Sequence, residues 1–232
     1  MPDREQRFAA MLDAVEAATA SLDRPIRILD LAGGTGSISL RLLRRDPSAE
    51  ITVQDLDPVL LHIARTTLPA HVTAVTSDLR QTSWSASLAP ESFDAVLTAT
   101  AMHWMTAARL TQIYAEVRDL LVPGGIFVNV DHMVDDGLPG LSAQLADRNR
   151  LRRNDLYRTA AATSWNSWWD RVADDPELGP LKVERDGLFS SHHAQEWTPP
   201  VSWHIRTLSD AGFSEVGIVW RAGNDAAVAA IR

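Results

Sequence analysis

Apolar positions along this chain switch between two periods. From residue 5 to 22 they recur at Phe8, Met11, Leu12, Val15 and Ala18, the i, i+3, i+4, i+7 spacing that lays one helical face on a core. Pro25 ends that pattern, and a short apolar run at 26–31 predicts a buried strand. A helix at 36–45 stops before Asp46-Pro47, and a second strand follows at 50–55. The helix at 57–67 opens with Asp57 as N-cap and Pro58 in its first turn. Strands at 72–76 and 93–99 bracket a helix-poor stretch around Pro90. The helix at 106–121 starts at Thr106 and stops before Pro123-Gly124-Gly125. Strands and helices alternating on this spacing predict a parallel sheet with right-handed crossovers. Between Met133 and Pro200 the alternation is lost.

Composition narrows the classes. With 232 residues, 45% of them apolar, the chain can bury one α/β core as a single domain over 1–232. No run reaches the roughly 18 apolar residues of a membrane span. The start, Met1-Pro2-Asp3-Arg4-Glu5, lacks the basic and apolar segments of a signal peptide, so a cytoplasmic location is the expectation. There are no cysteines, hence no disulfides or thiolate metal sites. A net charge of −8 argues against a nucleic-acid surface, which needs a basic stripe. The local run Arg148-Asn149-Arg150-Leu151-Arg152-Arg153 reads as a solvated helix face.

Candidate chemistry starts at Ile28-Leu29-Asp30-Leu31-Ala32-Gly33-Gly34-Thr35-Gly36, where an apolar run turns into a glycine-rich loop, and continues at Ile51-Thr52-Val53-Gln54-Asp55, where a second run ends in a carboxylate. That is a strand–loop–helix–strand unit with a nucleoside-sized slot at the strand ends. Gly33, Gly34 and Gly36 permit a tight bend and close approach of a ligand. Asp55 is placed to accept ribose hydroxyls. A dinucleotide site uses G-x-G-x-x-G under a pyrophosphate; here Asp30 heads the loop, and a carboxylate there would repel a pyrophosphate and suit an ammonium. S-adenosylmethionine offers an ammonium, a ribose and an adenine together.

The stretch resembles the first motif of the class I S-adenosylmethionine-dependent methyltransferases, acid-x-Gly-x-Gly-x-Gly, with Ala32 in place of the first glycine. An alanine there predicts a negative φ and a slightly altered loop. The resemblance continues in order through Val53–Arg65, Ala74–Leu79, Glu91–Thr100, Leu121–Val130, Leu208–Phe213 and Val216–Trp220. It implies a doubly wound, seven-stranded, mostly parallel sheet of Rossmann-like methyltransferase type, with a helical cap inserted after strand five at 133–200. It further implies S-adenosyl-L-methionine as cofactor, with Asp30 at the ammonium and Ala32, Gly33, Gly34 and Gly36 along the methionine and ribose. Asp55 would bind the ribose and Leu56 pack on the adenine. Asp78 and the Leu79 N–H would meet the adenine edge, and Thr100 would close the site. Asp57 competes with Asp55, but its N-cap place explains it.

The implied reaction is methyl transfer to a small organic acceptor, on O, N or C, of the kind met among natural-product intermediates. His103 and His132, at the ends of strands four and five, are the candidate general bases. Trp104, Trp165, Trp169 and Trp197 are the candidate acceptor wall; Trp165, Trp168 and Trp169 share one helical face, and His192 and His193 lie in the same insertion. His62 and His71 take no role. The fourth motif is not the Asn/Asp-Pro-Pro-Tyr/Phe of base and glutamine methylation, and Asp131 has no evident carboxylate partners, so no metal is expected. Neither nucleic acid nor membrane is an expected partner, and a homodimer is compatible with the reading. Two other classes stay open: a family member that keeps the cofactor site but acts as a cyclase or binding protein, and a NAD-dependent oxidoreductase.

Overall fold

The computed structural model describes residues 4–90, 92–159, 164–189 and 196–232. In chain order the elements are α1 (Arg4–Thr19), β1 (Arg27–Leu31), α2 (Ser37–Arg45), β2 (Glu50–Asp55), α3 (Pro58–Thr67), β3 (Thr73–Thr76), β4 (Phe93–Ala99), α4 (Ala107–Leu120), β5 (Leu121–His132), α5 (Pro139–Arg158), α6 (Trp165–Asp174), α7 (Leu178–Phe189), α8 (Val201–Asp210), β6 (Glu215–Ala222) and β7 (Asp225–Ile231). The strands form one seven-stranded sheet in the order β3-β2-β1-β4-β5-β7-β6. Its first five strands are parallel, and β7 runs antiparallel to both β5 and β6.

The central strands are apolar on consecutive residues because both of their faces are covered. Ile28, Leu97, Ile126, Val128 and Val130 point to one face, where Phe8, Met11, Leu12 and Val15 of α1 and Ile38 and Leu42 of α2 meet them. Leu29, Leu31, Val96 and Phe127 point to the other, against Leu110, Ile113, Tyr114 and Val117 of α4 and Leu208 of α8. Full burial of each such side chain contributes about 1.5–3 kcal/mol. The crossovers leave β1 and β4 on opposite faces, α2 on the first and α4 on the second. Strand order reverses between β1 and β4, so a crevice opens beyond their carboxyl ends.

The seven-stranded sheet implied by the resemblance is present, and one strand boundary differs from the sequence reading. The seventh strand, which the local pattern had not located, is β7, after a hairpin at Gly223-Asn224, with Gly223 at φ 59°. Its core Ala226-Ala227-Val228-Ala229-Ala230 carries little of the bulky, β-branched signal of a strand, because it lies between β5 and β6 under close helix packing. β5 already begins at Leu121: its pairing with β4 jumps from Phe93↔Leu121 to Ala95↔Ile126, so Pro123-Gly124-Gly125 is a bulge within the strand. The segment after β5 supplies α5, α6 and α7. His192 and His193 lie outside the described residues. No helix among the described residues is long and apolar enough to cross a membrane.

Candidate active site

The loop after β1 is wound by three left-handed residues at alternate positions: Ala32 (φ 52°), Gly34 (φ 56°) and Gly36 (φ 71°). The negative φ expected of Ala32 is therefore corrected. It holds the conformation the glycine would have had, because Gln54 Oε1 accepts its N–H at 3.1 Å and Gln54 O accepts the Gly33 N–H at 2.9 Å. Gln54 is itself buried and donates through Nε2 to Ser77 O (2.5 Å) and Ser77 Oγ (2.8 Å), tying the loops after β1 and β3 to β2. Gly33 is required by proximity: a Cβ there would lie 2.6 Å from Asp30 Cγ.

Asp30 sits beneath this loop with 1% of its surface exposed. Its Oδ2 accepts from Ser39 Oγ (2.6 Å) and Ser39 N (3.2 Å) at the start of α2, while Oδ1 has no hydrogen-bond partner. Burial pushes its pKa up to about 6, opposed by the Ser39 bonds. Asp55 is pinned by backbone: Oδ2 accepts from Gly34 N (2.8 Å), and Oδ1 from Leu56 N (2.7 Å) and Asp57 N (2.8 Å). Burial raises its pKa despite these bonds. Asp57 caps α3, accepting from Val59 N and Leu60 N.

Across β3, Arg80 Nε lies 2.8 and 3.0 Å from the two oxygens of Asp78. Leu79 is buried, and its carbonyl accepts from Arg109 Nε at 2.6 Å. Arg109 also reaches Gln81 O and pairs with Glu116, to which Trp84 Nε1 donates. This anchor between α4 and the loop after β3 escapes sequence reasoning, since an arginine on a helix reads as a solvated one.

At the end of β4, Thr100 adopts φ 54°, a strained conformation for a β-branched residue. The chain then makes a 3₁₀ turn, Met102–Trp104, which presents His103. Asp131, at the adjacent end of β5, holds His103 twice: Oδ1 is 2.7 Å from Nδ1, and Oδ2 accepts the backbone N–H at 3.1 Å. Both side chains are buried. With Nδ1 donating to the carboxylate, Nε2 is the nitrogen left to accept a proton. His132 makes a second such pair, Nδ1 to Asp225 Oδ1 at 2.5 Å, and that bond raises its pKa. The rings of His103 and His132 are 5.2 Å apart, and Trp104 lies 4.9 Å from His103. One donor atom each of His103, Asp131 and His132 falls within 4.8 Å of the others, a nitrogen and carboxylate set suited to a divalent transition metal. Asp131, for which the sequence offered no partner, is thus the residue that organises this end of the site.

The tryptophans divide. The Trp197 N–H donates to His103 O (2.9 Å), and its ring packs edge-on against Trp203 at 4.8 Å, beside the His103 turn. Trp165 and Trp169 lie elsewhere: Trp169 is buried with Val59 and Val172, flanked by Leu60, Ile63 and Trp168, so this helical face is spent on α3. Trp165 stacks on Trp168 and is 60% exposed. Below the rim, Tyr114 Oη is 2.6 Å from His204 Nδ1 and accepts from Asn129 Nδ2 at 3.1 Å. Burial lowers the His204 pKa to about 4.

The methyltransferase domain family matches residues 28–125, the span from β1 through the bulge of β5. Residues 28–125 thus carry a methyltransferase domain, on a sheet with the strand order and glycine loop described above. Among its relatives is the 3-hydroxy-5-methyl-1-naphthoate 3-O-methyltransferase of Streptomyces sahachiroi, 30% identical over 163 residues, 68% of this chain and 46% of that protein. Another is a ubiquinone/menaquinone biosynthesis C-methyltransferase of Methylobacterium nodulans, 30% identical over 128 residues, 55% of this chain and 50% of that protein. The apo S-adenosylmethionine-dependent methyltransferase SibL shares the fold, with a TM-score of 0.60 at 21% identity over 98% of this chain and 55% of that one. The chain spans about half the length of these relatives.

Proposed function

We propose that this protein transfers a methyl group from S-adenosylmethionine to the oxygen of a small, apolar or aromatic hydroxy compound, with His103 as general base. The observation that carries the reading is the His103–Asp131 pair, formed just past the carboxyl ends of β4 and β5, with β4 next to the strand that leads into the glycine loop. The residues present fit the cofactor. Gly34 offers a path with only Leu60 Cδ1 at 3.4 Å and Asp55 Oδ2 at 3.9 Å near a virtual Cβ. Asp55 keeps acceptor capacity for a ribose hydroxyl, Leu56 and Leu79 supply apolar walls, and the orphaned Asp30 Oδ1 puts negative potential beneath the loop for an ammonium. When bound, the cofactor supplies a methyl already activated by its sulfonium. The protein's task is then to position the acceptor and remove its proton. His103 Nε2 takes the hydroxyl proton, and Asp131 holds the ring in that tautomer and stabilises the imidazolium that forms.

The O-methylating relative supports an oxygen acceptor, and the C-methylating one keeps carbon as the second reading. A formal charge of −8 supports a small molecule over a nucleic acid as partner. Calorimetry with S-adenosylhomocysteine and with NADH separates the cofactor classes: micromolar binding of the first and none of the second is expected, and the reverse would overturn the reading. A labelled-methyl assay over monocyclic and bicyclic phenols then tests the acceptor. Equal turnover of phenols and their C-nucleophilic, hydroxyl-blocked analogues would exclude oxygen.

A further inference from the structure

Helix α7 carries Arg185 and Phe189 one turn apart, toward the ends of β2 and β3. Arg185 Nε donates to Asp57 Oδ2 at 2.5 Å, two residues past Asp55. The same guanidinium lies 4.0 Å from the ring centre of Trp169 and 4.8 Å from that of Phe189. Phe189 stands 5.9 Å from the Arg80 guanidinium, and Arg80 is bound to Asp78 at 2.8 Å. β2 and β3 are parallel neighbours with Asp55 opposite Thr76, so Asp57 and Asp78 mark the two sides of one slot. α7 is thus tied through Arg185 to the end of β2 and carries Phe189 to the Arg80–Asp78 pair past the end of β3.

We propose that α7 is the outer wall of the nucleoside site, that the Phe189 ring covers a face of the adenine, and that Arg185 positions the helix for it. The proposal rests on the cofactor reading above and adds to it residues from the segment after β5. The wall has a footing of its own: Trp169 and Val172 of α6, with Leu178 and Leu181 of α7, pack on Val59 and Ile63 of α3, whose N-cap is Asp57. Sheet end, cap and wall therefore form one connected unit. A phenyl ring between two guanidiniums is half-buried, and a purine is a flat π surface that can take the place of one cation on its face. Arg185 sits between Trp169 and Phe189, so its charge is neutralised by Asp57 while its plane aligns the second ring.

The test is calorimetric binding of S-adenosylhomocysteine and of 5′-methylthioadenosine to the wild type, Phe189→Ala, Phe189→Trp and Arg185→Gln, with backbone hydrogen exchange over 178–189. Phe189→Ala should weaken both ligands by the same factor, about 10- to 100-fold, because the lost contact is on the base they share. Phe189→Trp should restore affinity to within a few-fold. S-adenosylhomocysteine should slow exchange in 178–189 of the wild type, and that protection should fall in Arg185→Gln. Unchanged or tighter binding by Phe189→Ala would overturn the wall while leaving the cofactor reading intact. Failure of the wild type to bind either adenosine compound would overturn the cofactor reading itself.

Discussion

Replacing Asp55 by alanine should weaken S-adenosylhomocysteine by a factor that can be worked out from the carboxylate's existing bonds. An ionised carboxylate offers about four acceptor positions. Three are filled by the N–H groups of Gly34, Leu56 and Asp57 at 2.7–2.8 Å. One position, on Oδ2, remains for a ribose hydroxyl, so the expected loss is one charge-assisted hydrogen bond and not the two a free carboxylate could give. One such bond contributes about 1.5–3 kcal/mol, or roughly 10- to 150-fold in Kd. The same substitution strips an acceptor from three backbone N–H groups while removing a buried charge, so these stability effects oppose each other and the change in Tm should be only a few degrees. Titration calorimetry gives the affinity, and a thermal melt without ligand separates the fold effect. A Kd within threefold of the wild type, with the melt unchanged, would refute Asp55 as the ribose acid. Asp57 is the less suited acid, since it is buried at 3% exposure beneath the start of α3, which it caps.

Other expectations follow from the same geometry. His103→Ala and Asp131→Asn should each lower turnover by roughly 10²–10⁴ with S-adenosylhomocysteine affinity intact, and the double variant should fall no further because the pair acts as a unit; single-turnover labelled-methyl assays decide, and additive losses would separate the two residues. Ala32→Gly removes a left-handed alanine at φ 52° but adds unfolded-state entropy, about 1 kcal/mol each way, so chemical denaturation should shift little and a tenfold change in cofactor affinity would show that the alanine tunes the loop. Gly34→Val places a β-branched residue at φ 56°; it should abolish cofactor binding in calorimetry and also cost roughly 1–3 kcal/mol of stability in urea. His204 binds its proton in the unfolded chain near pH 6.5 but in the fold only near pH 4, so its contribution is complete above pH 6.5 and is lost as pH falls toward 4. The loss is about 3 kcal/mol, and urea unfolding of wild type against His204→Leu across pH 7.5 to 4 should show the difference disappear in the variant.

The geometry of the glycine-loop end was legible because its residues are close in sequence as well as in space. A strand, a glycine loop and the acid ending the next strand are one local unit, and Asp57-Pro58 announces the following helix by its own chemistry. Ala32 shows the limit of such reading. Its φ is imposed by Gln54, whose side chain clamps the loop from the neighbouring strand, and a glutamine at the end of an apolar run gives no hint that its amide faces two loops at once.

The acceptor end was less legible because register, which no local pattern encodes, decides who meets whom. His103 and Asp131 are paired because β4 and β5 lie parallel with Ala99 opposite Val130, which brings the residues just past each strand end together. His132 finds Asp225 through the antiparallel partner β7, a strand whose alanines hid it. The tryptophan face of α6 makes the same point from the other direction. Spacing at i, i+3 and i+4 establishes that a face is buried and says nothing of what buries it. Here the partner is Val59 and Ile63 of α3, on which α7 also packs, and Trp197, isolated in sequence, is a tryptophan of the segment after β5 that reaches His103. Helical periodicity therefore locates contacts along one element, and only the sheet order determines which end of the crevice those contacts serve.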